Sequence, residues 1–279
     1  MSLKVAEKIR TVIIILFLAL VVVMACYPFV YMFSAAFADG NTMTSLSPVP
    51  FGNGFAIGNF VKLVTETKFK IWFINSLVIS LCTMLGTLVI CTISSYVISR
   101  FHFVGRHIVT TSMLVLQVIP SFLSMIAMYY VLYRIGGLDT RWGMILVYIA
   151  GNIPYNVWLV KTYFDALPIS TDEAAMMDGA GKAVIFFKIL IPSVRPILVF
   201  LAITSFTAPW VDFIFPQLLL RSQSKQTVAL GLYELYNTQG DFGTFCAGAV
   251  LIGVPFFLFF LATQKRMIES MSTALDEDL

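Results

Sequence analysis

Asp212 is the only acid well inside one of the long apolar runs of this 279-residue chain. It stands in Pro209-Trp210-Val211-Asp212-Phe213-Ile214-Phe215-Pro216, so two prolines frame it. A carboxylate at the centre of a membrane costs about 2.5–3.5 kcal/mol on insertion scales, and such residues cluster where function needs them. Asp212 can accept hydrogen bonds, and the indole of Trp210 offers a flat aromatic face. A second reading stands beside it: an interfacial helix end, with Trp210 in an aromatic belt and Asp212 hydrated. Gln117 in the third apolar run, and Asn152, Tyr155 and Asn156 in the fourth, are further polar groups at membrane depth. Each is a pore-lining candidate or a helix–helix hydrogen-bonding residue.

Catalytic constellations are missing. There is no HExxH, a membrane aspartyl site needs a second acid, and His102 and His107 both flank a short loop. Cys26, Cys82, Cys91 and Cys246 form no CxxC pair and read as small buried hydrophobes, so no metal site is expected. No GxxxxGK[ST] phosphate loop occurs; Gly179-Ala180-Gly181-Lys182 is only a fragment of one. The chain is expected to be no enzyme, to bind no cofactor and to leave ATP to a partner.

The elements that position these residues follow from composition. Hydrophobic residues make up 59% of the chain and charged residues 12%, with a mean hydropathy of +0.89. A soluble fold of this size cannot hide that much apolar surface, which leaves an integral membrane protein. The net charge of +3 is too mild and too dispersed for nucleic acid. Crossing ~30 Å of hydrocarbon takes roughly 20 helical residues. Six runs qualify: Thr11–Ala38, Ile71–Ser99, Ile108–Tyr133, Trp142–Val160, Pro196–Leu220 and Phe242–Gln264. They are continuously apolar, so helices rather than alternating barrel strands are expected. With the N-terminus cytoplasmic, eleven Lys and Arg fall inside and seven outside, which favours cytoplasmic N- and C-termini. The whole of 1–279 reads as one transmembrane domain.

One inside segment, about 161–195, is too long and too apolar for a connector. Pro168 ends a helix. Ser170, Thr171 and Asp172 offer N-caps for a helix starting near Glu173. Gly179 and Gly181 permit a sharp bend, and a second apolar helix, Val184 to Leu190, stops at Ile191-Pro192 and Pro196. Such a pair either lies on the membrane surface or docks into a groove of a cytoplasmic partner.

Glu173-Ala174-Ala175, three residues, Gly179, nine residues, Ile189, one residue and Ile191-Pro192 resemble the EAA loop of ABC importer permeases. The family pattern has Leu where this chain has Ile191. Asp178-Gly179-Ala180 and the Pro192, Pro196 pair resemble the sugar-permease branch, and the chain looks most like the smaller, six-span permease of maltose-type carbohydrate importers. The resemblance implies an all-α type I permease whose coupling-helix loop lies between spans four and five. It implies that Glu173, Ala174, Ala175, Asp178, Gly179 and Ala180 form a coupling helix in a cleft of an ATPase, with Gly179 at the bend. Ile189 and Pro192 would lock the second helix onto the spans. The partners it implies are a second permease, two ATP-binding cassette subunits, an extracytoplasmic solute-binding protein and membrane lipid. Asp212 and Trp210 would then sit near the outer end of a sugar pathway. One departure is the tail Leu275-Asp276-Glu277-Asp278-Leu279, acidic where the family ends in a Gly-rich, basic tip. A stand-alone transporter or channel is the competing class, but it would show inverted repeats or several membrane ionisable groups, and neither is evident.

Overall fold

A computed structural model describes residues 3–40 and 42–276, with side chains described over 7–40, 42–120, 122–258 and 261. The last residues of the acidic tail, 277–279, lie outside the described residues. Regular structure among the described residues is entirely helical. The helices are α1 (Leu3–Ala36), α2 (Gly58–Glu66), α3 (Phe69–Arg100), α4 (Arg106–Leu116), α5 (Ser121–Arg134) and α6 (Arg141–Ala166). There follow α7 (Ile169–Met177), α8 (Lys182–Ser193), α9 (Arg195–Val211), α10 (Ile214–Leu219), α11 (Val228–Gln239) and α12 (Phe242–Asp276).

Three unbroken helices among the described residues are long and apolar enough to cross a membrane: Glu7–Ala36, Phe69–Arg100 and Arg141–Ala166. Two of the six expected spans are interrupted. The third stops at Leu116 and resumes at Ser121, because Pro120 takes an extended ψ of 128° and cannot continue the ladder. The fifth stops at Val211, where Asp212 turns extended with ψ 135°, and resumes as α10. Pro154, by contrast, sits inside α6 without ending it. The second loop helix does not stop at Ile191 either. Its middle, Ile185–Leu190, is π-helical, and the Ile191 N–H reaches back to the Phe186 carbonyl. That wider turn absorbs the donor that Pro192 lacks. The chain then bends by 77° between α8 and α9, at Val194 just before Pro196.

The chain divides into two compact units. One comprises Met1–Phe69 with Leu232–Val254. Here Asn59 Nδ2 donates to the carbonyls of Ala35, Ala36 and Ala38, satisfying the orphan acceptors at the end of α1. Asp241 caps α12 by accepting from Thr244 N–H at 3.0 Å, and Lys62 Nζ lies 2.5 Å from its other oxygen. Burial pushes the Asp241 carboxyl up, but the bonds from Lys62 and Thr244 outweigh it and hold the pKa below the usual value. Gly248 lets α12 approach α11, since a Cβ there would run into the Leu232 side chain.

The other unit holds Lys70–Gly231 with Pro255–Leu279. Its core has two patches. One joins Cys91 and Ile98 of α3, Val157, Val160 and Phe164 of α6, Ala175 of α7, and Ile185, Phe186 and Leu190 of α8. The other joins Ile79 of α3, Leu132 of α5, and Met144, Val147 and Tyr148 of α6 to Leu219, Leu220 and Leu230. In lipid such contacts hold helices together by close packing and polar pairing rather than by expelling water. Gly86 illustrates the closeness: a Cβ there would meet the Ile149 side chain of α6. The start of α3 is tied by neutral hydrogen bonds. Trp72 Nε1 donates to the Gln223 carbonyl at 2.9 Å, Asn75 Nδ2 to the Ser224 and Gln226 carbonyls, and Val228 N–H to Ser76 Oγ.

Candidate functional site

Helix α7 starts one turn earlier than expected, directly after Pro168. Ser170 and Thr171 therefore lie within its first turn, and no side chain caps it. Its two faces differ. Asp172 and Ala175, three apart, are buried; Glu173, Ala174, Met176 and Met177 are exposed, Met177 by 88%. The end is a Schellman motif: Gly179 N–H bonds the Met176 carbonyl at 3.0 Å and Ala180 N–H the Ala175 carbonyl at 2.9 Å. Gly179 has φ +84°, a left-handed conformation open to glycine and strained for other residues. Asp178, at the C-cap, is exposed.

The seat of α7 is built from distant chain segments. Arg100, the last residue of α3, places Nε 2.9 Å from Asp172 Oδ2, with the two side chains only 8% and 11% exposed. Arg100 Nη2 also donates to the Leu167 carbonyl, and Ser99 Oγ to Asp165 Oδ1. Asp165 pairs in turn with Lys161, one turn back on α6. Ala175 packs in the core patch, and Ala180 and Ile189 lie against it half-buried. Phe186 completes an aromatic set with Tyr96, ring centroids 4.7 Å apart. Pro192 is exposed. Of the loop residues the spacing singled out, Ala175, Ala180 and Ile189 therefore converge on one core, while Glu173, Ala174, Asp178, Gly179 and Pro192 face away from it.

Asp212 occupies the helix break between α9 and α10. Its Oδ1 accepts from Ile214 N–H and its Oδ2 from Tyr148 Oη, both at 2.8 Å. The carboxylate is half-buried and has no ion pair among the described residues. Trp210 is not beside it as a free platform. Its ring is fully buried, edge-on to Phe73 and stacked on Phe206. On α6, Tyr148, Asn152 and Asn156 follow one another at four-residue spacing along one face. Asn156 Nδ2 donates to the Asn152 carbonyl of its own helix, whereas the buried Asn152 Nδ2 has no hydrogen-bond partner among the described residues. Tyr155 is exposed on another side, and Gln117 is exposed at the end of α4, donating to the Met113 carbonyl.

Arg100, Asp172 and Tyr148 are the site residues that sequence reasoning passed over. An Arg closing an apolar run looks like a positive-inside flank, and Asp172 looks like a helix cap. Their pairing spans 72 positions and leaves no local trace.

Residues 83–267 match the family profile of the binding-protein-dependent transport system inner membrane component. The chain belongs to this family. The permease is 35% identical over 276 residues to the galactooligosaccharides transport system permease protein GanQ of Bacillus subtilis (strain 168), covering 97% of each chain. It is 34% identical over 274 residues to the maltodextrin transport system permease protein MdxG of the same organism, covering 98% of each. Among solved structures, the permease superposes with a TM-score of 0.79 on a chain from a bacterial ABC transporter involved in the import of the acidic polysaccharide alginate. Identity there is 20%, with 93% of this chain and 97% of that one covered, so this likeness speaks for the fold. The permease is thus an all-helical, multi-pass membrane subunit of a binding-protein-dependent importer.

Proposed function

We propose that this permease imports an oligosaccharide, forming half of the translocation path together with a second permease. Two separate ATP-binding cassette subunits hold the ATP, and an extracytoplasmic solute-binding protein delivers the sugar. The substrate class rests on relatives named for galactooligosaccharides and maltodextrin. In this reading 1–279 is one permease domain with six spans, the interrupted α4–α5 and α9–α10 counting as one each, and both termini are cytoplasmic.

Helix α7 is the coupling helix. The observation that carries this is its two-sidedness: Asp172 and Ala175 anchor it while Glu173, Ala174 and Met177 project outward on a rigid, glycine-terminated knob. A knob of that kind suits the cleft of an ATPase, whose closure would turn the seated helix as a body. Glu173, Ala174 and Asp178 meet the ATPase, Gly179 sets the bend, and Ala175, Ala180 and Ile189 belong to the seat, from which Pro192 faces away. The substrate path runs past Asp212, with Asn152, Asn156, Tyr155 and Gln117 as further polar stations. Trp210, enclosed by Phe73 and Phe206, serves the path by supporting the turn that carries Asp212.

Mild-detergent affinity purification from the native host tests the reading. An ATPase and a second permease should come along, and Gly179→Pro should abolish ATPase recovery while the chain still inserts. Proline cannot adopt the left-handed φ and removes the N–H that closes α7. Recovery of the chain alone, or undiminished ATPase recovery with Gly179→Pro, overturns the assignment.

A further inference from the structure

We infer that the Arg100–Asp172 ion pair is the joint through which α7 moves α3, making Arg100 a positioning residue for coupling. The inference rests on the reading of α7 as the coupling helix. Arg100 is the final residue of a 32-residue helix, and one guanidinium engages two successive elements: Leu167 at the end of α6 and Asp172 in the first turn of α7. Both charges are withdrawn from solvent. Among the described residues neither Asp172 Oδ1 nor Arg100 Nε has a hydrogen-bond partner, so the ion pair itself is what compensates the buried carboxylate. Removing one member of such a pair leaves the other charge buried and unpaired. The pair is therefore a tie that stays closed while the elements it joins move together.

The surroundings favour transmission into α3 over mere anchoring. Tyr96, one turn before Arg100, lies against both Phe164 of α6 and Phe186 of α8. Ser99, beside Arg100, donates to Asp165, and its carbonyl accepts from Arg106 Nη2 at 3.2 Å. The last turn of α3 is thus gripped from α6, α7 and α8 together. At its other end the same helix holds the segment 223–228 through Trp72, Asn75 and Ser76. A displacement applied at Arg100 can travel along a single rigid rod between the two.

The test uses the importer purified with its partner subunits, in a background where Cys26 and Cys82 are serine. Spin labels are placed at Val97 on the last turn of α3 and at the exposed Ile169 at the start of α7. Their separation is read by pulsed electron resonance with and without trapping by ATP and vanadate. The wild-type separation should stay constant between the two states. Asp172→Asn should let it shift by several ångströms on trapping and at least double the distribution width. Arg100→Lys, which keeps the charge but gives up the two-pronged reach, should shift it less, and exchanging the pair (Arg100→Asp with Asp172→Arg) should restore the constant separation. A simple folding defect would lower the yield of complex without making the distance depend on nucleotide. A wild-type separation that shifts on trapping, or an Asp172→Asn separation that does not, overturns the inference while leaving the importer reading intact. Failure of any ATPase to co-purify with the wild type overturns the importer reading first, at the purification step.

Discussion

Asp172 and Asp212 are two acids held inside the same unit by different chemistry. Asp172 faces a guanidinium, and its charge is cancelled where it stands. Asp212 is held by two neutral donors, the Tyr148 hydroxyl and the Ile214 amide, and no cation pairs with it among the described residues. The first arrangement spends its charge on a mechanical tie. The second fixes the orientation of a carboxyl group and leaves it spare lone pairs, which suits a group that is to accept further hydrogen bonds. A buried or half-buried acid thus carries different meanings, and its partner, more than its burial, separates them.

Asp212→Ala should have the largest effect on this contrast. It removes the carboxyl group and its bonds to the Ile214 amide and the Tyr148 hydroxyl, and should raise the apparent KM for oligosaccharide uptake about tenfold, equivalent to roughly 1.4 kcal/mol, with partner subunits still recovered. An unchanged uptake curve would return Asp212 to the role of a hydrated helix end. Tyr148→Phe keeps the ring in its core patch and deletes only the hydroxyl, a loss of about 1 kcal/mol. It should move KM in the same direction, and combining it with Asp212→Ala should add little, because the two act as a unit. Independent, additive effects would show that the pair is not one site.

Asp139 provides the smallest and most pH-sensitive comparison. It joins the α5–α6 loop to the stretch after α10, accepting from the Arg221 and Ser222 amides, Ser222 Oγ and Lys225 Nζ. Burial raises its carboxyl, but these donors outweigh that and bring the pKa from 3.8 down to about 2. The folded value lies below the unfolded one, so the stabilisation is complete above about pH 4 and is lost as pH falls toward 2. Asp139→Asn tolerates the left-handed φ of 55° found there. It should lower stability at pH 7 by about 1 kcal/mol, a value already reduced for solvent screening. The gap from wild type should narrow as pH falls from 4 toward 2 in thermal melts. A gap independent of pH would assign the loss to geometry instead of charge.

What could be read in advance from the sequence follows from distance along the chain. The stretch 169–192 announces itself through neighbours: a proline stop, a helix-forming run, a glycine where φ must be positive. All-helical architecture was legible in the same way, from the length of the apolar runs. Breaks inside those runs were harder. Pro154 leaves α6 whole while Pro120 parts α4 from α5, because a proline's effect depends on what else can satisfy the freed carbonyl. Trp210 beside Asp212 suggested a stacking face, but Phe73, 137 positions earlier, and Phe206 enclose the ring. Arg100 and Asp172 meet only after folding, so no spacing rule joins them.

The π-helical turn at Ile185–Leu190 also bears on how this segment tolerates changes in length. A π turn carries surplus chain relative to an α turn. Deleting one residue there returns the ladder to ordinary helix and leaves the register on either side intact. The same deletion within α9 turns every later side chain of that helix through about 100° and would swing Trp210 out from between its two phenylalanines. A one-residue loss is thus local in the first stretch and global in the second.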